Sequence, residues 1–146
     1  MVHSYTVEYK NLLLRQIEHS DLELLRKWRN DKFATRFLRP IGEITSSMQE
    51  SWYVNYLKND NELAMAIVET SDIKATIGSI SLYDFDKNCA TFGKFMIGDD
   101  RAHGSGLGRM ALIMLFKLGF ETLGLDIITA AVHKDNIAAY SNYMRV

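Results

Sequence analysis

The chain has 146 residues, 47% hydrophobic and 24% charged, which is material for one domain with its own core. A formal charge of -1 supplies no basic face able to neutralise a run of phosphates, so general nucleic-acid binding is excluded and any anion site is local. One cysteine, Cys89, excludes an intramolecular disulfide and a cysteine-rich zinc cage and fits a reducing cytoplasm, while no secretion leader or membrane-length apolar run is legible.

Leu12 to Ile17 reads as a first strand, stopped by His19 and Ser20. Ser20 and Glu23 have capping-box spacing, and Leu22, Leu25 and Trp28 follow at helical intervals, predicting a helix to about Asn30. Residues 31–43 hold the only proline, Pro40, with Phe33, Arg36, Phe37 and Arg39 before it, and predict a structured loop. Ser46 with Gln49 and Ser47 with Glu50 are overlapping capping boxes, opening a helix to about Lys58 whose apolar face is Met48, Trp52, Tyr53, Tyr56 and Leu57.

Past Asn59-Asp60-Asn61 the period becomes extended. Leu63 to Glu69, Thr76 to Tyr83 and Cys89 to Ile97 read as strands, Cys89 as a small buried residue in the last of them. Their short linkers predict an antiparallel meander, because a parallel crossover needs about a dozen residues. A helix from Gly106 to about Thr122 is apolar nearly all round and ends at Gly124. Ile127 to Val132 reads as a buried strand, parallel to the Cys89 strand through that helix, and Asn136 opens a last helix to about Tyr143.

The chemistry concentrates at Ile97 to Gly119, where Gly104, Gly106 and Gly108 precede the apolar helix. Glycines admit a ligand close to the backbone, and the first amides of a helix are unpaired donors at the positive end of its dipole. No acid occupies residues 104–110, where one is usual in a first turn, which leaves the place to a negative ligand. A nucleotide-hydrolysing P-loop lacks its Gly-Lys pair here. Gly106, Gly108 and Ala111 spell a dinucleotide fingerprint, with Asp135 after the next strand, but an antiparallel meander precedes them where that fold has a βαβ repeat.

The order strand, two helices, meander, HGSGLGRMAL, strand and NIAAYSNY resembles, from Leu12 on, the GNAT superfamily of acetyl-CoA-dependent N-acetyltransferases, in its RimJ/RimL-like branch. The resemblance implies an α/β GNAT-like fold: a mixed sheet with an N-terminal antiparallel meander and a parallel pair around a central helix. It implies acetyl-CoA as cofactor, its pyrophosphate on the backbone of Gly104, Ser105, Gly106, Leu107, Gly108 and Arg109. Two registers of the family motif fit. One starts at His103, with Gly106 and Gly108, and the other at Arg101, with Gly104 and Gly106; the first is preferred because RMAL follows the last glycine. In it His103 stands where the family usually has Gln or Arg.

The family's Asn, Ala, Tyr landmark is present as Asn136, Ala139 and Tyr143. By resemblance Asn136 meets the pantetheine arm and Tyr143 is the catalytic acid near the sulfur, with Tyr140 as the alternative. Pantetheine between splayed strands would bring its thioester to an amide at Met96 or Ile97. Thr91 stands where many relatives carry a glutamate base, leaving Glu69, Asp84 and Glu50 as candidates and His103 and His133 beside the cofactor region.

The acceptor implied is a primary amine of a small molecule, an amino sugar nucleotide favoured, or a protein N-terminus; Arg29, Arg36 and Arg39 are candidates for its phosphates. The implied protein is cytoplasmic, without nucleic-acid or membrane partners. Family members usually continue with Gly-Phe and a hairpin where this sequence stops at Val146. That difference implies a C-terminally truncated domain whose exposed strand edge pairs in a homodimer. It also keeps open an inactive acetyl-CoA-binding or interaction module.

Overall fold

The computed structural model describes residues 1–144, with the side chains of Ala138, Tyr140, Asn142 and Tyr143 outside the described set. The strands lie side by side in chain order, β1 (Val7–Tyr9), β2 (Leu12–Gln16), β3 (Glu62–Glu69), β4 (Ala75–Asp86), β5 (Cys89–Ile97) and β6 (Ile127–Ala130), in one six-stranded sheet. All neighbours are antiparallel except β5 and β6, which are parallel. Helices α1 (Leu22–Asn30) and α2 (Ser46–Lys58) lie between β2 and β3 in sequence, α3 (Leu107–Lys117) between β5 and β6, and α4 (Ile137–Met144) follows.

β3 explains the layering. Its run Leu-Ala-Met-Ala-Ile has no polar face because both faces are covered. Leu63, Met65 and Ile67 pack with Leu12, Leu14, Ile80, Leu82 and the α3 residues Ala111, Leu112 and Leu115. Ala64 and Ala66 pack the other way, with Ile17, Leu25, Trp28, Tyr56 and Met96. Beyond the reach of β2, the Tyr56 hydroxyl takes the place of a strand neighbour: it accepts from the Ala64 amide at 2.9 Å and donates to the Ala64 carbonyl at 3.2 Å. Burial of that phenol pushes its pKa to about 12.

Several expectations are corrected. β1 is an additional edge strand, too short and polar to announce itself. The reciprocal cap before α1 joins Glu18 and Asp21 rather than Ser20 and Glu23, because a short 3-10 turn precedes the helix. α2 is capped by Thr45, whose hydroxyl accepts from the Met48 amide at 3.2 Å. α3 ends at Lys117 and passes into a wider turn, Leu118–Thr122, where the Leu123 amide reaches the Leu118 carbonyl at 3.0 Å. β6 stops at Ala130 and is largely exposed, Ile127 by 53%, because only β5 flanks it among the described residues. Cys89 is half-buried.

Two features of β5 open the sheet. Ser79 pairs with Met96 but Ser81 pairs with Gly93, so Ile80 faces two residues and β5 bulges at Lys94, whose φ is 49°. β6 pairs only with Cys89 through Phe92, so among the described residues β5 runs on from Gly93 to Ile97 with no strand paired on that side. A cleft opens where the two strands part.

Candidate active site

The cleft encloses about 650 Å³ and is lined by β5 from Phe92 to Ile97, the glycine turn, residues 131–133 and the α1–α2 loop. Ile97 and Met96 face different ways. The Met96 carbonyl lies against Gly78 in β4, where a glycine Cβ would fall 2.0 Å from its oxygen, and the Gly98 amide donates to Ile77 at 2.8 Å. Alternation therefore turns the Ile97 N–H and C=O into the cleft, and the Ile97 carbonyl meets His103 Nε2 at 3.0 Å. Of the two amides expected at the thioester, only that of Ile97 faces the opening.

The three glycines divide their duties. Gly104 and Gly106 have φ of 74° and 79°, left-handed values that L side chains resist, and open space surrounds the place of a Cβ at each. Gly108 instead lets α3 approach β5, since a Cβ there would stand 3.3 Å from the Phe95 ring. Gly106 precedes α3, and the first helical bond runs from Met110 to the Gly106 carbonyl at 3.1 Å. Among the described residues the amides of Gly104, Ser105, Gly106, Leu107 and Gly108 make no hydrogen bond. Arg109 lines the cleft beside them. These donors, with unfilled space over two glycines, fit an anion of pyrophosphate size.

His103 lines this cleft, whereas the Arg101 guanidinium is gripped by Asp99, Nε to Oδ1 at 3.0 Å and Nη2 to Oδ2 at 2.8 Å. Asn136 also lines it and caps α4, its Oδ1 accepting from Ala139 at 3.1 Å. Its Nδ2 keeps its hydrogen-bonding capacity among the described residues. The Tyr143 and Tyr140 side chains lie outside the described residues.

None of the acids singled out as bases lines the cleft. Glu69 accepts from the Ser71 amide at 2.5 Å, from Asp72 at 3.0 Å and from Ile73, and these bonds hold its carboxyl at about 2. Glu50 pairs with His19 at 2.8 Å on the surface. Asp84 is an exposed residue of a left-handed bend, φ 51°. Thr91 meets Thr129 across the β5–β6 pair, hydroxyl to hydroxyl at 3.2 Å. The acid that sequence reasoning missed is Glu62, 6% exposed on the α2 face, with Oε1 2.8 Å from Lys94 Nζ. Nothing in the sequence marks that contact, since the bulge creates it.

Residues 31–43 form a strap over the opening. Phe33 reaches His103 on one wall, ring centroids 6.2 Å apart, and Phe37 reaches His133 on the other at 5.8 Å. Arg36 lies between, its guanidinium carbon 3.9 Å from the Phe33 centroid and 4.9 Å from that of Phe37. Arg36, Lys94 and Arg109, with His103 and His133, are the basic residues lining the cleft, and no Asp or Glu is among the described residues that line it. Arg29 stands apart on α1, half-buried, and burial lowers its pKa.

Residues 11–145 match the family model described as the acetyltransferase (GNAT) domain. The chain belongs to the GNAT acetyltransferase family. Within that family it is 23% identical over 134 residues to acetyltransferase PseH of Campylobacter jejuni, covering 89% of this chain and 78% of that one. Its fold is similar to that of the spermidine N-acetyltransferase of Vibrio cholerae solved with CoA and spermine, TM-score 0.83 at 20% identity over 92% of this chain and 79% of that one. It is also similar to FdhC, a nucleotide-linked sugar GNAT, TM-score 0.81 at 21% identity over 98% and 81%. No helix among the described residues is long and apolar enough to cross a membrane.

Proposed function

We propose that this GNAT protein moves the acetyl group of acetyl-CoA to a primary amine of a small molecule, an amino sugar on a nucleotide carrier being favoured over a protein N-terminus. The observation that carries the reading is the set of five unpartnered amides from Gly104 to Gly108 beside the parted strands. Each charge-assisted bond from such an amide to a phosphate oxygen contributes about 1.5 to 3 kcal/mol. Arg109, His103 and the Nδ2 of Asn136 border the same path. The sugar branch is supported by the likeness to a nucleotide-linked sugar GNAT.

Acetyl-CoA supplies an activated acyl group; the chain's own groups orient it and manage protons. The Ile97 N–H, turned into the cleft, is the donor suited to the oxyanion that forms on acyl transfer. The attacking amine must be neutral, and with an ordinary pKa of about 10.4 its free base costs about 4.6 kcal/mol at pH 7. With Glu69 and Glu50 engaged elsewhere and Asp84 outside the cleft lining, a water relay is the route for that proton. Tyr143 is the proposed proton donor to the leaving thiolate, whose ordinary pKa of about 8.5 against about 10 for tyrosine makes the transfer mildly uphill.

Calorimetry with coenzyme A tests the first half, and following free thiol while acetyl-CoA meets a panel of amino sugars, polyamines and peptides tests the second. Absent CoA binding would sink the reading; binding without thiol release on any amine would reduce it to a binding module.

A further inference from the structure

The basic residues of the cleft fall into two groups. His103 and Arg109 accompany the glycine turn and belong with the pyrophosphate of the cofactor. Arg36 and Lys94 line the cleft from other elements, the strap and the β5 bulge, and both are held in place by the protein itself. The Arg36 guanidinium is sandwiched by Phe33 and Phe37, and its Nη1 donates to the Phe33 carbonyl at 2.7 Å. The two rings are braced in turn by His103 and His133. No carboxylate pairs with Arg36 among the described residues, so its charge faces the cleft uncompensated.

Lys94 is presented differently. The left-handed bulge turns it out of the ladder, and its Nζ is fixed 2.8 Å from the buried Glu62 carboxylate and 4.9 Å from the centre of the Tyr83 ring. The Tyr83 hydroxyl is seated on Gly93, where a Cβ would stand 2.8 Å from it. A non-glycine residue at φ 49° costs backbone strain, and here that strain keeps an ammonium at the mouth of the cleft with donors to spare. Long basic side chains normally lose rotamer freedom when they grip an anion, and both of these have lost it already.

A polyamine entering this space would meet the Arg36 guanidinium, which has no carboxylate partner among the described residues. It would meet no lining carboxylate, since the Glu62 partner of Lys94 lies outside the lining. A phosphate group would meet two oriented donors of the right sign. Resting on the acetyltransferase reading, we propose that Arg36 and Lys94 form an anion subsite for the acceptor, separate from the glycine turn. The acceptor is therefore an amine that carries phosphate, as a nucleotide-linked amino sugar does, and not a polyamine.

The test uses uridine 5'-diphosphate as probe, titrated by calorimetry into protein already saturated with CoA, so that the glycine turn is occupied. One diphosphate per chain is expected to bind. Arg36→Gln is expected to weaken it about tenfold, and Lys94→Met combined with Glu62→Gln, which avoids stranding a buried charge, to do the same, while CoA affinity changes less than about twofold. Diphosphate that binds only CoA-free protein overturns the subsite, as does equal weakening of CoA and diphosphate by Arg36→Gln, which would assign Arg36 to the cofactor. Spermidine acetylated more efficiently than any nucleotide-linked amino sugar overturns it as well. Failure of CoA itself to bind would remove the acetyltransferase reading and this subsite together.

Discussion

The indole of Trp28 covers the backbone of Gly98 so closely that a Cβ on Gly98 would fall 2.1 Å from its Cδ2 atom. Trp28 is 6% exposed near the end of α1, and Gly98 follows the last residue of β5. The contact fixes where the Ile97 amide lies. Gly98→Ala must displace the indole or the strand, and is expected to cost about 1 to 3 kcal/mol by overpacking and to weaken CoA binding through the shifted Ile97 amide. Chemical unfolding and CoA calorimetry on the variant check this; unchanged values in both would show the contact to be slack.

A second set of substitutions separates backbone from side chain in the glycine turn. Gly106→Ala imposes a left-handed conformation on an L residue, at about 1 to 2 kcal/mol of stability, in a space that contains no clash. CoA affinity is expected to fall about tenfold as the amides shift. His103→Ala is expected to change that affinity by less than about threefold, since the amides do most of the holding. A larger loss from His103→Ala than from Gly106→Ala would make the imidazole the principal ligand.

Those glycines were legible in the sequence because their spacing and the apolar helix after them carry a local physical meaning. The three middle strands and all four helices were legible for the same reason: their periods are local. What escaped depends on register between strands. The bulge at Lys94, the parting of β5 from β6 after Phe92, and hence the turn of Ile97 rather than Met96 into the cleft, are set by pairing across the sheet. Glu62 was invisible as a partner of Lys94 because the two are 32 positions apart with the whole of β4 between them. The caps of α1 and α2 slipped for a smaller reason: several Ser, Thr, Asp and Glu stand in each neighbourhood, and the chain's entry path chooses among them.

Glu69 offers a test of a structural acid against a catalytic one. Its carboxyl, held at about 2 by the amides of Ser71, Ile73 and Asp72, closes the β3–β4 turn and stays ionised throughout the range in which acetyl transfer would run. A group that does not titrate there cannot shape a pH profile. Glu69→Gln is expected to lower the unfolding midpoint while leaving the pH dependence of kcat/KM unaltered in shape. A lost or shifted acidic limb would return Glu69 to the reaction.

Asp21 makes the clearest pH prediction for stability. Burial alone would raise its pKa, but the Arg15 fork at 2.8 and 3.0 Å, the Glu18 amide at 2.8 Å and the Thr76 hydroxyl at 2.9 Å outweigh burial and hold it below the ordinary value. These bonds tie β2, the start of α1 and β4 together, so the folded state prefers the ionised form more than the unfolded chain does. The stabilisation is complete above the ordinary aspartate pKa of about 3.9 and is lost as pH falls through the lower folded value. Asp21→Asn removes the charge opposite Arg15 and is expected to cost about 3 kcal/mol at pH 7. Urea unfolding of both proteins should show that gap constant from pH 7 to about 5 and narrowing below about 4. A gap that stays constant down to pH 2, or that widens there, would mean that packing rather than the carboxylate's charge is what the substitution removes.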